Sequence, residues 1–200
     1  MVPDVLFSPL LRFAAMRLFA PVPMFLLPAF LLMATAAMAQ TATEAETVAV
    51  FDLGEMAVPE EFERVDPKSR MIEHEFQATA DGAEDTARIT MMAAGGDVDA
   101  NINRWKGQFS GGNDDSGKVE EVTLGETTVH LVDINGTYAD SMGGGPFSGG
   151  KKVQRKDYAM AGAIIEAPSG RKYFAKMVGP MKVVQANRER FGKMIRSLGK

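Results

Sequence analysis

The stretch Gly145-Pro146-Phe147-Ser148-Gly149-Gly150-Lys151-Lys152 has the spacing of a phosphate-binding loop, GxxxxGK, with Lys152 where a serine or threonine would hold magnesium. Such a loop works by following a strand and opening a helix whose N-terminal amides hold phosphate. Here Val153 to Asp157 lead into another strand pattern, so nucleotide binding is not expected. The same residues read better as a long connection between strands, Ala139 to Asp157. Gly143, Gly144, Gly145, Gly149 and Gly150 make it mobile, and Lys151, Lys152, Arg155 and Lys156 make it basic. Long connections without secondary structure are uncommon in compact domains and often functional. Lys151, Lys152, Arg155 and Lys156, with Gly143 to Gly145, are therefore the candidate contact region for an anionic ligand or a partner, against the plainer reading of a solvated loop.

Other chemistries find less support. The chain has no cysteine, which excludes disulfides, thiolate metal sites, cysteine nucleophiles and lipid attachment to an N-terminal cysteine. His74 and His130 are the only histidines, and each sits in a strand pattern beside apolar residues with no second histidine nearby, so no metal and no cofactor are expected. Ser148 has Pro146 where a nucleophile elbow needs glycine. Asp133 and Glu166 lie in otherwise apolar strands, where burial would perturb them; an exposed face is the simpler reading. The lone tryptophan, Trp105, belongs to an apolar helical stripe and reads as core. The nine methionines after residue 40 are scattered, which suits core filling and not copper traffic.

These residues sit in a chain of 200 with 46% hydrophobic and 24% charged content, enough for one domain with a sizeable core. The formal charge of -4 argues against electrostatically driven binding to nucleic acid. The N-terminus is of another character: Arg12 and Arg17 precede an apolar run, Leu18 to Ala39, that closes on Ala37-Met38-Ala39. That order predicts a cleavable signal peptide over residues 1–39, with Met16 as a candidate true start and a periplasmic or secreted destination. Pro21, Pro23 and Pro28 interrupt the run, which weighs against a retained anchor. Removing it leaves 20 basic and 25 acidic residues, a net of -5, and no further stretch long enough to span a membrane.

Residues 40–57 are expected to be a tether and lead-in, with a short strand near Val48 to Phe51, and 58–200 the folded domain. Residues 70–79 alternate Ile72, His74, Phe76 and Ala78 against Met71, Glu73, Glu75 and Gln77, a strand with one wet face. Asp81-Gly82 turns into a second strand at 88–94. Asp97 caps a helix whose stripe is Val98, Ile102, Trp105 and Phe109. Strands follow at 118–124 and 127–138, with a bulge at Asn135-Gly136, and at 158–167 and 171–178. The first of the last pair offers small residues, Ala159, Ala161 and Ala163, for close helix packing, and a final helix at 181–198 carries Val184, Phe191, Ile195 and Leu198 on one face. The prediction is a single α+β domain in ββαββββα order: an antiparallel sheet of about six strands with two packed helices.

Asn101 to Phe109, Val132 to Tyr138, the Gly143 to Gly150 loop and Ala161 to Glu166 together resemble an uncharacterised family of exported bacterial proteins, over about Val58 to Leu198. In element order the chain also resembles the Mog1/PsbP-like α/β/α sandwich. The resemblance implies a small extracytoplasmic domain to which no catalytic residues carry over. Members of that family are often lipoproteins, and without a cysteine at its cleavage site this chain departs from them. The functional expectation is an exported, non-catalytic accessory or binding module whose partner is an envelope protein or an anionic ligand. A small-molecule carrier is the alternative, and an enzyme whose carboxylates meet only in the fold is a third reading.

Overall fold

The computed structural model describes residues 45–141 and 152–200. A hairpin opens it, β1 (Thr47–Ala49) against β2 (Glu55–Ala57). Then come β3 (Phe62–Val65), β4 (His74–Ala78), β5 (Ala87–Ala94), helix α1 (Val98–Lys106), β6 (Phe109–Ser110), β7 (Lys118–Leu124), β8 (Thr127–Ser141), β9 (Lys152–Glu166), β10 (Lys172–Pro180) and helix α2 (Met181–Arg196). The main sheet is antiparallel throughout, in the order β3-β4-β5-β10-β9-β8, with β6 and β7 both pairing along the outer edge of β8.

Side chains of successive strand residues point to opposite faces, and in β9 this alternation sorts the core in two. Ala159, Ala161, Ala163 and Ile165 pack with Val183, Val184, Phe191 and Ile195 of α2. Met160 and Ile164 face the other way, onto Ile102 and Trp105 of α1. The helices therefore cover opposite faces of one sheet, an α+β domain built in three layers. Asp97 caps α1 as its position predicts, accepting a hydrogen bond from the Ala100 amide at 2.9 Å. Asn187 of α2 is buried but satisfied, donating to the Thr79 and Val183 carbonyls at 2.7 and 3.0 Å.

The sheet is larger than the expected six strands. Its additional strands β3 and β6 have only four and two residues, too few for a period of two to register in sequence, while the β1–β2 hairpin, whose first strand answers the short strand expected near Val48, is a separate two-stranded sheet. The lead-in is folded from Thr47 onward, with Val48, Val50 and Met56 fully buried and the Ala57 amide bonded to Ser197 Oγ at 2.9 Å. Helix α1 stops at Lys106, because Gly107 turns the chain and Phe109 pairs with Tyr138 as strand. Glu75, assigned to a wet face, is only 1% exposed, since Arg88 of the neighbouring strand reaches it with two hydrogen bonds. The expected loop at 139–157 shrinks from both ends: β8 runs on to Ser141 and β9 begins at Lys152, cross-paired over Tyr138–Arg155 to Ser141–Lys152.

Candidate functional site

Helix α1 has nine residues, and the strands beneath it are up to fifteen long. Part of the sheet face is left uncovered, and there the inward residues change character. Along β10 the same face reads Phe174, Lys176, Val178; along β9, Met160 gives way to Tyr158; along β5 it carries Thr90 and Arg88. The result is a cleft of about 440 Å³ lined by Arg88, Thr90, Tyr158, Lys176 and Val178 with Tyr138, Asp140 and Arg155.

A bulge decides which basic residue enters it. Gly136 faces Tyr158, but Tyr138 faces Arg155, so β9 spends an extra residue there and Asp157 takes φ +54°. Without the bulge, Arg155 would point to the opposite face from Tyr158; with it, both line the cleft. Gly136 is itself required, since a Cβ there would stand 2.6 Å from the Ser110 carbonyl oxygen.

Four cationic residues, Lys68, Arg88, Arg155 and Lys176, line the cleft against two acidic ones, Asp85 and Asp140. Arg88 is committed to Glu75, through Nε and Nη2 at 2.6 and 2.9 Å. Burial by itself would raise the Glu75 pKa, but Arg88 and the Lys68 amide outweigh it and hold the carboxyl below its ordinary value. Arg155 Nε is shut away from solvent with no hydrogen-bond partner, and Asp140 stands 3.5 Å from it. Tyr138 and Tyr158 lie with rings parallel, 4° apart in plane and 6.1 Å between centroids. The Tyr138 pKa is raised, by burial first and then by Asp140.

Lys176 is the least balanced of these groups. Its ammonium donates to Gln108 Oε1 at 2.6 Å and lies 5.8 Å from the ring centroids of Trp105 and of Tyr138. No carboxylate among the described residues pairs with it. Burial, with Arg104 and Arg88 adding repulsion, pushes its pKa down to about 8. An ordinary lysine in the unfolded chain titrates near 10.4, so the charged form is penalised in the folded state at neutral pH. That penalty is complete below about pH 8 and disappears as pH rises through the unfolded value. Lys176→Met is accordingly expected to raise unfolding stability at pH 7 by about 1–3 kcal/mol. Thermal melts should show the advantage shrinking above pH 8 and closing near pH 10; a variant less stable than the parent at pH 7 contradicts the assignment.

Comparison with known proteins finds a likeness of fold alone. No protein-family model matches the chain, and no curated protein matches it. Among solved structures it is similar to the solution structure of cyanobacterial PsbP from Synechocystis sp. PCC 6803, at 10% identity and a TM-score of 0.47, over 82% of this chain and 96% of that one.

Of the residues expected to bind, the fold brings Arg155 into the cleft. Lys152 is exposed where β9 begins, opposite Ser141, and Lys156 lines a separate depression with Asn135 and Thr137. Lys151, Gly143, Gly144 and Gly145 lie outside the described residues. Asp133 and Glu166 are not brought together: Asp133 pairs with Arg188 at 2.5 Å and Glu166 with Lys172 at 2.8 Å. Among the described residues, no group of three or more His, Asp or Glu is placed to hold a metal ion, and no helix is long and apolar enough to cross a membrane. Sequence reasoning missed Arg88, Lys176 and the tyrosine pair. The available signal was Lys176 itself, a lysine in step with Phe174 and Val178 within an apolar strand.

Proposed function

We propose that this chain is an exported, non-catalytic binding module whose cleft holds a small anionic ligand. The leader pattern, Arg17 followed by an apolar run ending Ala37-Met38-Ala39, supports export to the periplasm or beyond. The observation that carries the binding reading is Lys176: a half-buried ammonium without a carboxylate partner on the wall of an open cleft. Such a group destabilises the empty protein, and an anion in the cleft would supply the missing counter-charge. Arg155, whose guanidinium is partly exposed in the cleft with Asp140 3.5 Å from its Nε, supplies a second donor, and guanidinium suits planar carboxylates. An envelope protein presenting an acidic side chain would meet the same two groups.

The test is calorimetric titration with citrate and with inorganic phosphate. Binding is expected to weaken about tenfold or more in Arg155→Glu and in Lys176→Met, the loss of one charge-assisted contact each. It should also weaken as pH rises through about 8, where Lys176 loses its proton. Absence of binding by either anion, or binding unchanged in both variants, defeats the proposal.

A further inference from the structure

The groups facing Lys176 do more than attract an anion. Arg104 faces it from α1, Arg88 from β5 with its partner Glu75 on β4, Tyr138 and Asp140 from β8, and Arg155 and Tyr158 from β9, with Lys68 and Asp85 on the cleft rim; the carboxylates Glu75 and Asp140 are engaged by Arg88 and Arg155, and none is paired with the amine. The wall beside Nζ is aromatic, made by Trp105 and Tyr138. A lysine amine desolvated against aromatic rings and placed among other cations is the arrangement that turns an inert ammonium into a nucleophile toward carbonyl carbon. The same cleft offers guanidinium for a carboxylate. We infer that Lys176 captures small 2-oxo acids as a reversible imine, with the acid's carboxylate held by Arg155. This rests on the cleft being the anion site, and adds to it a covalent step.

The step balances without an oxidant or a further reactant. The neutral Nζ adds its electron pair to the ketone carbon, and a proton passes from nitrogen to the former carbonyl oxygen, giving the carbinolamine. Loss of that hydroxyl as water leaves a C=N bond between ligand and lysine. Hydrolysis by the reverse route releases the oxo acid unchanged, so the function is capture and release. With a pKa of about 8, about a tenth of Lys176 is free amine at pH 7, against about 0.04% for an ordinary lysine. Capture and simple anion binding thus have opposite pH dependence: capture rises from pH 6 to 8, whereas ionic attraction falls above 8.

The experiment uses the intact protein, pyruvate and cyanoborohydride, which reduces the imine to a stable secondary amine, followed by peptide mapping by mass spectrometry. At pH 7 Lys176 is expected to carry about tenfold more adduct, or better, than exposed Lys156 or Lys193, with hydroxylamine before reduction removing it. Lactate, which keeps the carboxylate but has no ketone, serves beside pyruvate in calorimetry to report anion binding alone. Adduct spread evenly over exposed lysines, or absent from Lys176, overturns the inference. If lactate and pyruvate both bind while no adduct forms on Lys176, only the covalent step falls; if neither binds, the anion reading falls with it.

Discussion

Arg88→Met is expected to destabilise the fold by about 3 kcal/mol at pH 7, the lower end of what breaking a buried ion pair costs, because Arg88 itself is partly solvated. Glu75 is 1% exposed and accepts three hydrogen bonds, two from Arg88 and one from the Lys68 amide at 2.9 Å. Removing Arg88 leaves a carboxylate inside the sheet with one donor, while the desolvation that favours its neutral form persists. The sign of the pH dependence follows. In the parent the Glu75 pKa lies below its unfolded value, so its stabilisation is present above the ordinary carboxylate range and is lost as pH falls through the folded value. In the variant burial dominates, the folded pKa moves above the unfolded one, and the deficit is largest at neutral pH and shrinks in acid. The double variant Glu75→Met with Arg88→Met removes both charges and should return to within about 1 kcal/mol of the parent. Urea denaturation at pH 7 and pH 4 measures all of this. A single-variant loss below about 1 kcal/mol would mean that Glu75 finds water or another donor, and that the pair does not hold β4 to β5.

Trp105→Ala is the second large effect, expected at about 3–5 kcal/mol. Trp105 is 4% exposed, meets Phe174 edge to face at 5.4 Å, and lies so close over Gly162 that a Cβ there would stand 2.7 Å from its ring. It is the main anchor of a nine-residue helix, too short to persist without tertiary packing. Its loss should reach the cleft, because the chain leaving α1 carries Gln108, the hydrogen-bond partner of Lys176. Water reaching the ammonium would then raise the Lys176 pKa toward the ordinary value, which an amine-reactivity profile against pH would register. Near-parental stability in urea would refute Trp105 as core.

How far the fold is readable in the chain depends on how many residues share a signal. Helices α1 and α2 and the longer strands repeat their apolar pattern several times, and Ala159, Ala161 and Ala163 announced a face made for close helix contact. The α+β class and the placing of Trp105 in the core were legible for that reason; the methionines were legible only in part, since Met56, Met91, Met160, Met177 and Met194 are buried as core filling requires but Met71 is 66% exposed. The short strands β2, β3 and β6 were not, because two to four residues cannot display a period. Glu75 was misplaced because alternation says which residues share a face and nothing of whether that face is wet; Arg88, thirteen positions away, settles it.

The candidate site divides along the same line. From the sequence alone come the single α+β domain, the absence of thiol chemistry, the expectation of export and the basic run that contains Arg155. Which basic residue enters the cleft was decided by tertiary structure, since one extra residue at Asp157 reverses the pleat and exchanges the faces of Arg155 and Lys156. The cleft itself exists because α1 is shorter than the strands below it, a relation between elements that neither one's sequence contains. And Lys176, an unremarked lysine in a strand, acquires its low pKa from burial first and then from Arg104 of α1 and Arg88 of β5: charge and solvation are properties of neighbours in space, and only folding supplies them.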